Sequence, residues 1–167
     1  MATEITAKTT EQLTRDTFAD LANRDLSRAA EIWGPDSVDD FVAVGVYRGI
    51  DEIKGFFAGL FAAVPDFTIE VDRVLVDGDV ATVQWHASGT FNGGPFLEIE
   101  PTGKRIAFRG VDVMEWRDGV IHENTIYYDG AEFARQIGLL PPRDSAADKG
   151  IIKAFNAVTK LRAKVTG

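Results

Sequence analysis

The sequence predicts an α+β domain: a strongly curved, mostly antiparallel sheet wrapped on N-terminal helices, enclosing a cone-shaped pocket, with one further helix at the C-terminus. Three observations carry this expectation. Apolar residues recur at helical spacing through much of the first third of the chain. From Phe67 onward the period changes to two, the alternation of a half-buried strand. Asp118-Gly119 then sits between two long runs rich in β-branched and aromatic residues, the strongest short hairpin signal.

Taken in order, residues 1–8 are expected to form a loose terminus. Thr9 and Gln12 have capping-box spacing, and Leu13, Thr17, Phe18 and Leu21 continue a helix to Asn23. A second short helix is expected from Asp25 to Trp33, stopped by Gly34-Pro35-Asp36. Ser37–Arg48 reads as one strand. Gly49–Val64 reads as a helix whose apolar stripe includes Ile53, Phe56, Phe57, Leu60 and Phe61, ended by Pro65. Strands follow over 67–76 and 80–91, then an irregular crossing, PFLEIE, between two turn signals. The hairpin occupies 104–129, and Ala131–Ile137 reads as a brief helix closed by Gly138. In the tail, Ile151, Phe155, Val158, Leu161 and Val165 make a stripe too apolar to be left in water, so this helix should dock on its own domain or on a partner chain. The expected units are a cone domain over 1–142 and a helical extension over 143–167.

If Asp118 and Gly119 are the turn, Arg117 pairs with Val120 and side chains alternate outward from there. One face then carries Phe108, Gly110, Asp112, Met114 and Trp116 beside Ile121, Glu123, Thr125, Tyr127 and Asp129. Large apolar groups mixed with carboxylates suit a pocket wall. The opposite face, with Arg109, Val111, Val113 and Glu115, has an apolar middle and charged ends, which suits a subunit contact or an exposed sheet.

The 167 residues carry a formal net charge of −8 and contain no cysteine and two histidines, His86 and His122. Disulfides, thiolate metal sites and a cysteine nucleophile are excluded, and a zinc site would have to lean on carboxylates. The acidic balance disfavours nucleic acid and anionic membranes as partners. There is no membrane span and no apolar signal segment, so a cytoplasmic protein is expected.

The order of elements resembles the nuclear-transport-factor-like cone fold, and within it the SnoaL-like polyketide cyclases and their ester-cyclase relatives. The resemblance rests on Gly49…Ile53…Phe56-Phe57 leading into Pro65-Asp66-Phe67, on Ser88-Gly89-Thr90, on Pro101-Thr102-Gly103-Lys104, on Trp116-Arg117-Asp118-Gly119-Val120-Ile121, and on Tyr128-Asp129 followed by Arg135-Gln136-Ile137-Gly138-Leu139-Leu140-Pro141. It implies cofactor-free chemistry on a hydrophobic small molecule in a homodimer or higher assembly, and the shortage of histidine and cysteine leads to the separate expectation of no metal. The best-known members close a ring by an intramolecular aldol step, using an acid near the end of the last strand, which matches Asp129. This chain departs from many relatives by having Phe91 in Gly89-Thr90-Phe91-Asn92-Gly93, where they carry a histidine. Ketosteroid isomerases share the cone fold. By analogy with them, Asp112 matches a pocket acid, Asp40 a basic carboxylate on the first strand, and Phe18 falls where they have a tyrosine.

The candidate catalytic residues are therefore Asp129, Asp112 and His86, and Asp129 is alternatively the N-cap of the helix after it. Tyr127 is a candidate donor to a substrate oxygen. Trp33, Phe18, Asp40, Phe57, Phe61, Phe108, Met114 and Trp116 are candidate lining residues. Two other readings stand beside the cyclase or isomerase. One is an epoxide hydrolase, for which Arg109 and Asp112, three residues apart, face opposite sides of a regular strand. The other is a non-catalytic binding domain.

Overall fold

The structure is a computed structural model that describes residues 8–165; the expected loose terminus lies almost wholly outside them. Helix α1 (Thr10–Ala22) begins at the capping box, with both reciprocal Thr9–Gln12 bonds formed. The short α2 (Ala29–Ile32) leads into strand β1 (Trp33–Phe41), which turns back into β2 (Gly45–Arg48). Helix α3 (Gly49–Ala63) follows, with Asp51 and Glu52 in its first turn complementing the helix dipole. Strands β3 (Thr68–Asp77), β4 (Val80–Phe91), β5 (Lys104–Arg117) and β6 (Val120–Tyr128) run in succession to α4 (Gly130–Ile137) and α5 (Ala146–Val165).

The six strands form one open sheet in the order β2-β1-β6-β5-β4-β3. Among the described residues only the β1–β6 pair is parallel. Helices α1 and α3 pack on its inner side, where Ile53, Ala81, Val83 and Ile106 are fully buried. The indole of Trp116 donates to Thr14 Oγ1 at 3.1 Å and so ties the end of β5 to α1. Among the described residues no helix is long and apolar enough to cross a membrane.

Three expectations are corrected. The second helix is shorter than expected, because the Asp25 side chain accepts the Ser27 N–H in a local turn and Trp33 already pairs with Ile121 of β6. The single strand expected over Ser37–Arg48 is a hairpin, reversed over residues 42–44, with Gly45 opening β2 opposite Phe41 at a φ of 151° that favours glycine. The register of β5 on β6 holds as expected at Arg117–Val120 and Trp116–Ile121. It then slips by one residue, so that Glu115 faces Glu123 and His122 is the extra residue. Such a bulge moves every later side chain of the strand to the other face. Asn124, Ile126 and Tyr128 therefore point inward, in place of Glu123, Thr125 and Tyr127.

Helix α5 forms as expected but does not dock on its own domain. Ile151, Phe155 and Leu161 are 56%, 68% and 63% exposed. The elbow before it is held by Arg135, which bonds the Pro141 carbonyl and Asp148. Truncation of residues 146–167 is expected to shift the thermal midpoint of the single chain by no more than about 2 °C, since little buried area is lost. A larger fall, measured by calorimetry, would show that something beyond the single chain covers this helix.

Candidate active site

An apolar cavity of ≈ 80 Å³ lies between the inner sheet face and the helices. Phe18 and Leu21 of α1, Phe41 of β1, and Phe56, Phe57 and Leu60 of α3 form one wall. Trp85, Phe108, Ile126, Tyr128 and Phe133 form much of the other. Its rings interlock: Phe41 lies 4.0 Å from Phe56, and Phe108 is 5.7 Å from Trp85 and 5.5 Å from Tyr128 between centroids. Phe96 and Leu97 reach it from a tight turn in which Phe96 and Ile99 exchange backbone hydrogen bonds of 3.0 and 2.9 Å.

The carboxylate in this lining is Asp112, which is 7% exposed. Its Oδ1 accepts the Trp85 indole N–H at 2.7 Å and its Oδ2 accepts an Asn124 amide N–H at 3.0 Å. Burial pushes its pKa up to about 6, and the two hydrogen bonds hold it from rising further. Local sequence explains each partner. Gly110 pairs with Trp85 across β4 and β5, and a Cβ there would meet the indole at 2.4 Å. Glycine thus lets the ring lie over β5 with its N–H aimed two residues along, at Asp112. Asn124 points inward because of the slip at Glu115.

A second buried acid, Asp39, lies nearby. It is fully buried, neither oxygen has a hydrogen-bond partner, and its neighbour across the parallel β1–β6 pair is Asn124. Burial first, and the negative charge of Asp112 second, hold its carboxyl well above the usual range, while the nearby Trp33 indole opposes the rise. The Tyr128 hydroxyl is likewise pushed up to about 12 by burial and by Tyr47, and so stays protonated.

The expected site residues fall into three groups. Asp112, Phe18, Phe57 and Phe108 line the cavity. Trp33, Met114 and Trp116 are buried in the core around it, and Phe61 packs between Phe57 and Phe67. Asp129, His86, Tyr127 and Asp40 stand apart from it. Asp129 caps α4, accepting the Glu132 N–H at 2.9 Å, and its side chain is 58% exposed. It shares an open groove on the outer side of the sheet with His86, Arg109 and Glu132. His86 sits there between Asp72 at 2.8 Å and Glu70 at 3.8 Å. Asp129 and Asp112 therefore do not share the expected pocket face. Tyr127 is exposed because the slip in β6 turns it outward, and Tyr128 takes its place. On β1, it is Asp39 and not Asp40 that faces inward. Asp39, Trp85, Asn124 and Tyr128 join or support the site beyond the residues that the sequence predicts. The signal for two of them was Glu123, a charge that the regular register would have put on the pocket wall.

An open sheet folded over two helices around an aromatic cavity with an inward carboxylate defines an α+β cone protein. The sequence pattern of the SnoaL-like polyketide cyclases matches residues 12–137, and the chain belongs to that family. Solved structures agree on the fold. A SnoaL-like protein from Jannaschia sp. CCS1 is 24% identical, with a TM-score of 0.70 over 79% of this chain and 93% of its own. TsrD from Streptomyces laurentii is 25% identical, with a TM-score of 0.68 over 78% and 95%. AclR from Streptomyces galilaeus is 22% identical, with a TM-score of 0.69 over 92% and 96%. No curated protein matches the sequence.

Two substitutions test this geometry. Gly110→Ala is expected to destabilise the fold by about 1–3 kcal/mol, as overpacking does, and to remove the exchange protection of the Trp85 indole proton in NMR spectra. Asp129→Ala is expected to cost about 1 kcal/mol in chemical denaturation, the loss of an N-cap, with that proton unchanged.

Proposed function

We propose that the protein is a cofactor-independent acid/base enzyme of the SnoaL-like type, which removes a proton next to the carbonyl of an apolar compound and so promotes ring closure or isomerisation. The observation that carries this reading is a carboxylate held by two donors inside an otherwise aromatic cavity. A base must stay ionised at working pH yet have a pKa near it. Burial raises Asp112 toward that range, and the Trp85 and Asn124 bonds keep it from being neutralised altogether. Abstraction of the α-proton by Asp112 leaves an enolate oxygen that needs a donor, and the protonated Tyr128 hydroxyl on the same wall is suited to supply it. Return of the proton from Asp112 to the far carbon of a conjugated enolate completes an isomerisation; attack of the enolate carbon on a second carbonyl of the same molecule, with the Asp112 proton passing to the alkoxide that forms, completes an aldol closure. Asp129 takes no part in this scheme; its groove and its cap bond support a structural role.

The cavity volume bears on the substrate. At ≈ 80 Å³ it is smaller than the roughly 150 Å³ hole that accommodates benzene, which favours a compact substrate unless Phe96 and Leu97 move. The epoxide-opening alternative loses support, because Arg109 lies in the outer groove, away from the cavity.

The test is hydrogen–deuterium exchange at the α-carbon of a panel of apolar ketones and keto esters, followed by NMR. Asp112→Asn is expected to lower the catalysed rate by about 10²–10⁴-fold, the usual worth of a positioned base. In the parent protein kcat/KM should rise with pH through about 6 and level off above it, because the ionised form of Asp112 is the active one. Asp129→Ala should keep both rate and profile. Exchange that persists in Asp112→Asn, or that is lost in Asp129→Ala, would overturn the assignment.

A further inference from the structure

Among the described residues, the buried side-chain atoms without a hydrogen-bond partner are Trp33 Nε1, both oxygens of Asp39, Asn124 Oδ1 and Arg135 Nε. Four of these five belong to three side chains on the adjacent strands β1 and β6. Asn124 has no freedom in how its amide is turned, because its N–H₂ group is committed to Asp112. Its oxygen is left looking for a donor, and the residue opposite it across the parallel pair is Asp39. An ionised Asp39 would set acceptor against acceptor in a region without exposed surface, at the full desolvation cost of both groups.

We infer that Asp39 carries a proton in the folded protein and donates it to Asn124 Oδ1, acting as the positioning residue that fixes the Asn124 amide and thereby one of the two hydrogen bonds on Asp112. A single proton resolves the cluster. The Asp39 hydroxyl serves Asn124, the remaining Asp39 oxygen is free to accept from the Trp33 indole, and the chain runs on through Asn124 to Asp112 and Trp85. The surroundings agree. The charged group acting on Asp39 is Asp112 of β5, whose negative charge favours the neutral acid. Strand β6 brings Asn124, β2 brings the titratable Tyr47 opposite Asp39, α2 brings Ala29 and Ile32, and α3 brings the rings of Phe56 and Phe57 against β1. The position of the proton does not depend on the proposed function; only its consequence for turnover rests on Asp112 being the base.

The test uses full-length protein labelled with ¹³C-aspartate and no substrate. Carboxyl shifts are assigned through backbone correlations and followed between about pH 4 and pH 9. Asp39 is expected to keep the shift of a protonated acid well above the usual carboxylate range, and to ionise at lower pH in Asp112→Asn, where the neighbouring charge is gone. Asp39→Asn, which retains a donor, should leave the Asp112 midpoint near that of the parent. Asp39→Leu, which has none, should release the Asn124 amide and move the Asp112 midpoint upward. Stability follows the same proton: a folded pKa above the unfolded value contributes fully below about pH 4 and is lost as pH rises through the folded value, a dependence that Asp39→Asn should flatten. An Asp39 midpoint below about 5 in the unsubstituted protein overturns the inference, whether or not either variant folds. So does an Asp112 midpoint displaced as far by asparagine as by leucine. Loss of α-exchange in Asp112→Asn tests the function separately, so the two can fail independently.

Discussion

The one-residue slip between β5 and β6 beyond Trp116–Ile121 is the constraint on which the site depends. Side chains on a strand alternate, so one extra residue in β6 decides the facing of everything after it. With His122 as that residue, Asn124 turns inward to reach Asp112, and Ile126 and Tyr128 join the cavity wall. Without it, Glu123 and Thr125 would occupy those places, bringing a further carboxylate next to Asp112 and no amide donor. Bulges are common beside active sites because they re-aim side chains without changing the strand order. Here the slip converts a hairpin of ordinary alternation into the inner wall of the aromatic cavity.

In that wall and buried near it, two acids sit in different circumstances. Asp112 has two donors and stays within reach of ionisation; Asp39 has none of its own and is held neutral. Environments that push neighbouring carboxyls apart in pKa are the usual way a single fold supplies both forms near neutral pH. The surrounding rings do more than fill space. By keeping water from the carboxylate they strengthen each fixed hydrogen bond to it and make the charge sensitive to what lies against it.

Much of the fold was legible in the sequence. The Thr9–Gln12 capping box, the α3 stripe, the Asp118-Gly119 turn and the Asp129…Gly138 helix limits all rest on local rules that the structure follows. Phe108 and Asp112 could be placed from strand alternation near a well-defined turn, Phe57 from the α3 stripe, and Phe18 from the ketosteroid isomerase analogy. Asn124 and Tyr128 could not, since a bulge is a tertiary compromise and leaves no period of its own. Asp39 was hidden by its neighbour: Asp39-Asp40 offers two carboxylates one residue apart, and only the pairing of β1 with β6 decides which turns inward. For Asp129 a helix cap and a strand-end acid look alike in sequence, and the structure shows the cap bond. The exposure of α5 lay beyond reach for a different reason, as amphipathic spacing states what a helix could cover but not whether anything is there.

The apolar lining of the cavity has a consequence for any guest that enters it. An uncharged apolar molecule seated against Asp112 would displace what hydration remains, raising the carboxyl's affinity for hydrogen ions at the moment of occupancy. Uptake of such a guest near pH 6 would therefore draw protons from the medium, and the heat of association would vary with the ionisation enthalpy of the buffer. The fraction of sites charged at a given pH would then report on how full the cavity is.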